Sequence, residues 1–214
     1  PVDVLARKAG LMGIRPEDAV VIVPGEKMHD ATLIGIALDR LGHARWGILD
    51  GGIEKWSAEN RPLMTALPVL PETRYPADGT ADAFTVDYRQ VLEIVNAKSA
   101  LILDVRPKAF WSGEKSDEAR AGHIPGAVNR PIDEDIVATG GAPRFKPAEE
   151  LAKAYAWLIP SKDAPVGVHC RTGHQASQTG CVLRHLLGYT NVLWYDGGWS
   201  EWAARPELPV EKGA

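Results

Sequence analysis

Short apolar runs alternate with longer amphipathic runs along the second half of the chain. The runs Val166–His169 and Val192–Tyr195 have the length and composition of buried β-strands. Hydrophobic periodicity predicts helices over Pro147–Ile159 and Ala176–Leu187, and a short helix over Trp199–Ala204. Short strands that alternate with helices are typical of an α/β unit with a mainly parallel sheet flanked by helices.

The same alternation extends further upstream. Periodicity predicts a helix over Asp87–Ala97, followed by a strand in "ALILDVR" (100–106) and by the turn-rich stretch "AGHIPGAVN" (121–129). The second half of the chain therefore has enough elements for a complete α/β domain.

An internal repeat relates the two halves. "LDGGIEKW" (49–56) recurs as "YDGGWSEW" (195–202), and Asp50 and Asp196 are 146 positions apart. The same offset aligns the preceding helix, strand and glycine positions without a gap. The sequence therefore predicts two copies of one unit, which is the usual meaning of a fixed repeat period.

The first copy is shorter than the second. It spans residues 1–64, and the counterpart of the block at 87–129 would precede Pro1. We expect a further N-terminal segment or a separate chain to complete this non-catalytic domain. A proline-rich stretch over 65–84 is predicted to be an extended linker, and residues 85–214 are predicted to form the catalytic domain.

Composition and charge narrow the function classes. The 214 residues are 45% hydrophobic and 24% charged, and the formal net charge is -4, which disfavours a nucleic-acid scaffold. No apolar run approaches a membrane span, and the start of the sequence lacks a signal-peptide pattern. We expect a cytoplasmic protein, with the periplasm as the alternative.

The chain has two cysteines, at positions that differ in chemical setting. Their spacing of eleven fits neither a C-x-x-C redox pair nor a zinc site. Cys181 belongs to an apolar helix face and is predicted to pack in the core. Cys170 follows a strand and precedes a helix, and the offset aligns it with Pro24 in the first copy. Because only one copy has this thiol, a catalytic role for Cys170 is favoured over a packing role.

The loop that follows Cys170 can bind anions. Five residues separate this cysteine from Ala176, and a short loop that leads into a helix can direct backbone N–H groups at the sulfur. Such a cradle is expected to lower the thiol pKa. Arg171, together with His174 and His169, adds positive charge and predicts an anionic substrate, although His169 is expected chiefly to pack at the strand end.

A phosphatase is one alternative function for this loop. The tyrosine phosphatase signature H-C-x5-R requires an arginine six places after the cysteine, where it clamps the phosphoryl group. Position 176 is alanine in this chain. The sequence therefore disfavours phosphate-ester hydrolysis.

Four motifs together resemble the tandem-domain rhodaneses, sulfurtransferases of the thiosulfate and 3-mercaptopyruvate type. These are "LILDVRP" (101–107), "AGHIPGAVN" (121–129), "CRTGHQA" (170–176) and "YDGGWSEW" (195–202). Their order and spacing agree over residues 85–208, whereas the first copy agrees only from about Asp3 to Leu63. The resemblance implies two rhodanese-like units, an inactive and incomplete N-terminal one and an active C-terminal one.

The resemblance also implies a mechanism and a set of site residues. Cys170 would attack the outer sulfur of a donor, carry it as a persulfide and pass it to cyanide or a thiol, a ping-pong reaction that requires no metal or organic cofactor. Asp104 and Arg106 would support the loop, and the turn from His123 to Ala127 would be mainly structural. The implied substrate-binding residues are Arg171, Thr172, Gly173, His174, Gln175 and Ala176.

Donor choice rests on the loop sequence. Loops that begin C-R-K-G are similar to those of thiosulfate enzymes, and C-G-S-G loops to those of 3-mercaptopyruvate enzymes; this loop begins C-R-T-G. Thiosulfate is therefore favoured, and 3-mercaptopyruvate stays open. Both classes usually have a further arginine just after the D-x-R strand end, and in this chain that position is Phe110. Lys108 or Lys115 could take the place of the missing arginine. A catalytically silent rhodanese that serves as a binding module is the remaining alternative.

Overall fold

The computed structural model describes residues 1–66, 68–77, 79–137 and 143–213. These residues group into two compact units. The first unit is Pro1–Ala83 together with Pro143 and Arg144, and the second unit is Phe84–Val137 together with the described chain from Phe145 onward. Within the described ranges, no helix is both long enough and apolar enough to span a membrane.

The first unit contains three helices and two strands in its described part. In chain order they are α1 (Val2–Leu11), β1 (Val20–Ile22), α2 (Met28–Arg40), β2 (Trp46–Ile48) and α3 (Gly52–Ala58). β1 and β2 pair in parallel. Apolar side chains of β1, β2 and α2 form a small core between the sheet and the helix.

The second unit is built on a five-stranded sheet with the strand order β3-β9-β8-β4-β5, in which every pairing is parallel. This observation confirms the predicted α/β class. The strands that follow β2 along the chain are β3 (Thr85–Val86), β4 (Leu101–Asp104), β5 (Val128–Asn129), β6 (Ile136–Val137), β7 (Arg144–Phe145), β8 (Val166–His169) and β9 (Val192–Tyr195). β6 and β7 lie outside the five-stranded sheet and pair with each other.

Helices flank this sheet. They are α4 (Tyr88–Ala97), α5 (Lys108–Trp111), α6 (Ala148–Ala156), α7 (Ala176–Cys181) and α8 (Gly198–Ala203), with a 3₁₀ turn at Ile132–Asp135 and a π-helical stretch at Val182–Leu186. Asp87 caps the start of α4 with a capping box. Its carboxylate accepts a hydrogen bond from the backbone N–H of Gln90, and the side-chain oxygen of Gln90 accepts one from the backbone N–H of Asp87.

The two units share a strand register as well as a sequence pattern. Val20 pairs with Trp46 in the first unit, and Val166 pairs with Val192 in the second. Each partner lies 146 positions after its counterpart, which is the offset of the sequence repeat. The repeat in sequence is thus a repeat in structure.

The sheets differ in size. β8 lies between β9 and β4, whereas within the described residues β1 pairs with β2 alone. Val21 and Val23, on and after β1, are 64% and 50% exposed. The described sheet of the first unit is therefore smaller than that of the second, and the incompleteness of the first unit stays a prediction.

The proline-rich segment packs along the first unit. The Thr73 N–H donates to the carbonyl of Gly10 (2.9 Å), and its hydroxyl donates to the carbonyl of Ile14 (2.6 Å). Further along, the Tyr75 hydroxyl lies 2.8 Å from Nδ1 of the buried His43. These contacts tie Thr73 and Tyr75 to the first compact unit, which ends at Ala83 in this part of the chain. The domain limits derived from the sequence stay a prediction.

The sheet of the second unit brings two strand ends together. β4 and β8 are neighbours, and Asp104 is paired with His169 at their carboxyl ends. Residues that follow these strands therefore meet at one edge of the sheet, where α/β folds place their binding sites. Cys170 is the first residue beyond β8 and lies at this edge.

Candidate active site

The loop after β8 wraps around the sulfur of Cys170. Backbone N–H groups of Thr172, Gln175 and Ala176 form hydrogen bonds to this sulfur. The residue itself is only 1% exposed. The predicted cradle is therefore present, and it encloses the thiol closely.

Burial and the cradle act on the thiol in opposite directions. Burial raises the pKa of Cys170, because a thiolate loses hydration in the interior, and the three N–H groups lower it. Burial is the larger effect, so the pKa lies above its ordinary value. The sequence-based expectation of a lowered pKa is wrong for this structure, since it counted the N–H groups and not the loss of water.

The Asp-Gly-Gly turn before α8 holds the loop in place. The N–H groups of Trp199 and Ser200 each donate to loop carbonyls, those of Cys170 and Arg171, at 2.9 Å. Gly198 has a φ of 56°, and a Cβ on it would lie 2.6 Å from the Arg171 carbonyl oxygen. Only glycine therefore allows this turn to approach the loop so closely.

The centre of the loop is fixed from the same side. Gly173 has a φ of 76°, and a Cβ on it would lie 2.7 Å from the carbonyl oxygen of Asp196. The indole N–H of Trp194, on β9, donates to the Gly173 carbonyl at 2.9 Å. The repeated motif that revealed the two copies thus forms the support of the cysteine loop in the second unit.

Asp104 and Arg106 form a buried ion pair next to the loop. The guanidinium donates to both carboxylate oxygens of Asp104 and, at 2.8 Å, to the carbonyl of Gly122. It also lies over the ring of Trp199, 4.7 Å from the centroid. The pair is thus fixed beside the loop, and the supporting role that the sequence resemblance implied for it stays a prediction.

His169 is enclosed beside this pair. Its Nε2 lies 3.6 Å from the Asp104 carboxylate, and the residue is 1% exposed. Burial lowers the pKa of His169, so the imidazole is neutral near pH 7. The position at the strand end agrees with packing rather than with charge.

A cavity of about 200 Å³ lies beside the cysteine loop. Its walls come from the loop, from the α8 turn and from the segment that follows β4. The lining residues are Arg106, Pro107, Phe110, Ser116, Asp117, Glu118, Arg171, Gln175 and Trp199. The cavity therefore adjoins two residues of the predicted substrate-binding loop, Arg171 and Gln175.

Arg171 is paired with acidic residues at this cavity. Its Nε donates to the Glu118 carboxylate at 2.6 Å, and its Nη1 lies 4.0 Å from Asp117. Ser200 donates a hydroxyl hydrogen bond to the same Glu118 oxygen at 2.6 Å. The bonds from Ser200 and Arg171 lower the pKa of Glu118, which stays ionised.

The other predicted residues take varied positions. Thr172 is exposed, His174 is half-buried and Ala176 is buried at the start of α7. Phe110 lines the cavity, whereas Lys108 and Lys115 are exposed and are not among its lining residues. Cys181 is buried at the end of α7, as expected of a core residue.

The turn from His123 to Ala127 is tied into the surrounding backbone. His123 Nδ1–H donates to the carbonyl of Trp111 at 2.8 Å, and the two rings stack with centroids 4.5 Å apart. The backbone of His123 also pairs with Glu211 in an antiparallel bridge. These contacts agree with a structural role.

Sequence reasoning missed Glu118, Ser200 and Arg120. Arg120 donates to four carbonyls at and beyond the end of α8, namely those of Trp202, Ala203, Arg205 and Leu208. The segment that carries Glu118 and Arg120 has no periodic pattern, and its partners lie more than fifty residues away in sequence. Only the acidic cluster after "DVRP" could have indicated this part of the site.

The fold, the cysteine loop and its support define the class of protein. The profile of the rhodanese-like domain matches residues 87–205, which is more than half of the chain. The chain therefore belongs to the rhodanese-like family, and its membership of the sulfurtransferase class of enzymes, as predicted, is confirmed.

Particular relatives support this assignment. A thiosulfate sulfurtransferase from Corynebacterium glutamicum is 31% identical, over 94% of this chain and 68% of its own length. The sulfur carrier protein TtuD from Thermus thermophilus is 36% identical, over 80% of this chain and 63% of its own length.

A solved structure shows the same fold. The anaerobic ergothioneine biosynthesis enzyme from Chlorobium limicola, solved with trimethyl histidine, superposes with a TM-score of 0.80 at 20% identity. The match covers 100% of this chain and 56% of that enzyme, so the chain spans about half the length of the solved protein. This likeness bears on the fold alone.

Proposed function

We propose that this protein transfers a sulfane sulfur from thiosulfate to cyanide or a thiol through a persulfide on Cys170. The observation that carries the proposal is the convergence of three backbone N–H groups on one buried sulfur, at the carboxyl edge of the sheet. Such a cradle suits a sulfur atom that gains a second, negatively charged sulfur.

The proposed reaction has two half-reactions. The Cys170 thiolate attacks the outer sulfur of thiosulfate; a new S–S bond forms, and the donor S–S bond breaks with its electron pair leaving on sulfite. Cyanide then attacks the terminal sulfur of the persulfide. Thiocyanate leaves, and the electron pair of the cleaved S–S bond returns to Cys170 as the thiolate.

The chain's own groups have separate tasks in this scheme. The N–H groups of Thr172, Gln175 and Ala176 stabilise the charge on the persulfide, since a fixed array of donors needs no reorganisation. The buried pair of Asp104 and Arg106 holds the edge of the sheet under the loop. Arg171 is the proposed contact for the donor anion.

Thiosulfate is the proposed donor, with 3-mercaptopyruvate as the alternative. The C-R-T-G loop supports thiosulfate, as does the name of the Corynebacterium relative, a thiosulfate sulfurtransferase. The name of the Thermus relative, a sulfur carrier protein, supports the proposal that this chain carries sulfur. Initial rates with each donor on the same preparation separate the two candidates.

The decisive experiment is the intact mass after incubation with thiosulfate. We expect a gain of about 32 Da, one sulfur atom on the nucleophile, which disappears on addition of cyanide. Cys170→Ser should abolish the gain. Cys181→Ser is the matched control, because Cys181 is also a buried thiol and should leave the gain unchanged.

The competing functions give different results. A gain of mass that persists in Cys170→Ser would assign the nucleophile elsewhere. No gain with either donor, together with no thiocyanate production, would favour a silent binding module. Hydrolysis of a phosphate ester that depends on Cys170 would favour a phosphatase.

A further inference from the structure

The cavity beside the cysteine loop is not the cationic site that an anionic donor would suggest. Its charged lining residues are two arginines and two carboxylates: Arg106, Arg171, Asp117 and Glu118. The charge of Arg106 is also balanced by the buried Asp104. Of the two arginines that line the cavity, Arg171 is therefore the one that could bind an anionic ligand, and its guanidinium is already paired with Glu118.

Glu118 is held firmly in that position. Its side chain is only 19% exposed, and it accepts hydrogen bonds from Arg171 and from Ser200, each at 2.6 Å. Asp117, by contrast, is 58% exposed and lies 4.0 Å from Arg171. Of the two carboxylates, Glu118 is the one fixed against the guanidinium.

We propose that Glu118 is a specificity-determining residue that competes with anionic donors for Arg171. A carboxylate at this place occupies part of the guanidinium fork that would otherwise bind a dianion in a bidentate manner. It also adds like charge next to the ligand. This inference rests on the proposed function and deepens it: thiosulfate still binds at Arg171, but Glu118 lowers its affinity relative to that of donors or acceptors of lower negative charge.

The test is Glu118→Gln. Glutamine keeps the length of the side chain and an oxygen that can accept from Arg171 and Ser200, and it removes the charge. We expect the KM for thiosulfate to fall about threefold to tenfold, with kcat nearly unchanged. Binding should also become more sensitive to salt, because the site gains net positive charge.

Two matched variants make the result specific. Glu114→Gln removes an exposed carboxylate from the same segment and should leave the KM unchanged. In an Arg171→Ala background, Glu118→Gln should give much less improvement, since its effect depends on the freed guanidinium. A purely structural role for Glu118 predicts instead that Glu118→Gln raises the KM.

Thiosulfate titration of Cys170→Ser by calorimetry separates this inference from the proposed function. Tighter binding to Cys170→Ser/Glu118→Gln than to Cys170→Ser supports the competition even if the wild-type protein shows no sulfur transfer. The inference is overturned if the wild-type protein is active and Glu118→Gln leaves the KM and the affinity for thiosulfate unchanged, or raises the KM and lowers the affinity. That result leaves the proposed function intact.

Discussion

At the scale of single residues, the site combines a cysteine that is difficult to ionise with donors that stabilise its charged form. Water is nearly excluded from Cys170, which raises its pKa, while three N–H groups point at the sulfur. In the proposed mechanism the same donors would act on the persulfide, which is more acidic than a thiol. We therefore expect the cradle to stabilise the product of the first half-reaction more effectively than it activates the free thiol.

This balance predicts a pH dependence for sulfur uptake. The thiolate is the reacting form, and its fraction rises with pH until the raised pKa is passed. We expect the rate constant for uptake from thiosulfate to increase about tenfold per pH unit above neutrality for as long as the thiolate is the minor form. Rapid-quench intact-mass measurements give this profile.

Alkylation of Cys170 by iodoacetamide should follow the same curve, because it depends on the same ionisation. A rate that levels off near pH 7 would contradict the prediction. That result would mean that the N–H groups outweigh burial.

At the scale of elements, the strands were the most predictable features. Val166–His169 and Val192–Tyr195 have the same limits in the sequence prediction and in the structure. Each is a short apolar run bounded by polar or turn residues, so its ends are marked in the sequence. The predicted helix over Pro147–Ile159 is observed over Ala148–Ala156, a difference at the ends, where periodicity carries little information.

The helix after the cysteine loop departs from prediction in its second half. Apolar spacing predicts one helix over Ala176–Leu187, whereas the structure has an α-helix to Cys181 and then a π-helical stretch over Val182–Leu186. A π-helical stretch changes the hydrogen bonding by one residue and leaves the apolar pattern almost intact. Hydrophobic periodicity therefore cannot detect it.

The turn before α8 provides a prediction at this scale. Gly198→Ala places a methyl group 2.6 Å from the Arg171 carbonyl oxygen, in addition to the strain of a positive φ. We expect it to displace the cysteine loop and to lower the free energy of unfolding by about 2–4 kcal/mol, through strain and overpacking combined. Sulfur uptake should fall severely as a result. Chemical denaturation and intact mass measure the two effects.

Gly188→Ala is the matched control. Gly188 also has a positive φ, of 68°, but a Cβ there would meet no atom within 4 Å. It should lower the free energy of unfolding by about 1 kcal/mol, with sulfur uptake unchanged. Equal losses of stability and uptake in the two variants would show that strain, and not the contact with the loop, is responsible.

At the scale of the whole molecule, the two units share the strand arrangement but differ in the residues of the candidate site. Both units have parallel strands in equivalent registers, yet the cysteine loop, its ion pair and its cavity all belong to the second unit. The sequence predicted this asymmetry from Pro24 opposite Cys170. It could not predict the pairing of Glu118 with Arg171, because the two residues are 53 positions apart and no local pattern links them.

The second unit should therefore suffice for the first half-reaction. A chain shortened to residues 84–214 retains the five-stranded sheet and the residues that hold the loop. We expect it to show a cooperative thermal transition by circular dichroism and to gain about 32 Da on Cys170 with thiosulfate. A folded fragment that takes up no sulfur would show that the first unit contributes to the reaction.

The enclosure of Cys170 has a consequence for the lifetime of the carried atom. If Cys170 carries a sulfur as we propose, that sulfur is bound to a residue that is only 1% exposed, and we expect bulky reductants to reach it slowly. Small nucleophiles such as cyanide should then remove it faster than a large dithiol does. Comparing the loss of about 32 Da with cyanide and with a reduced protein thiol tests this expectation.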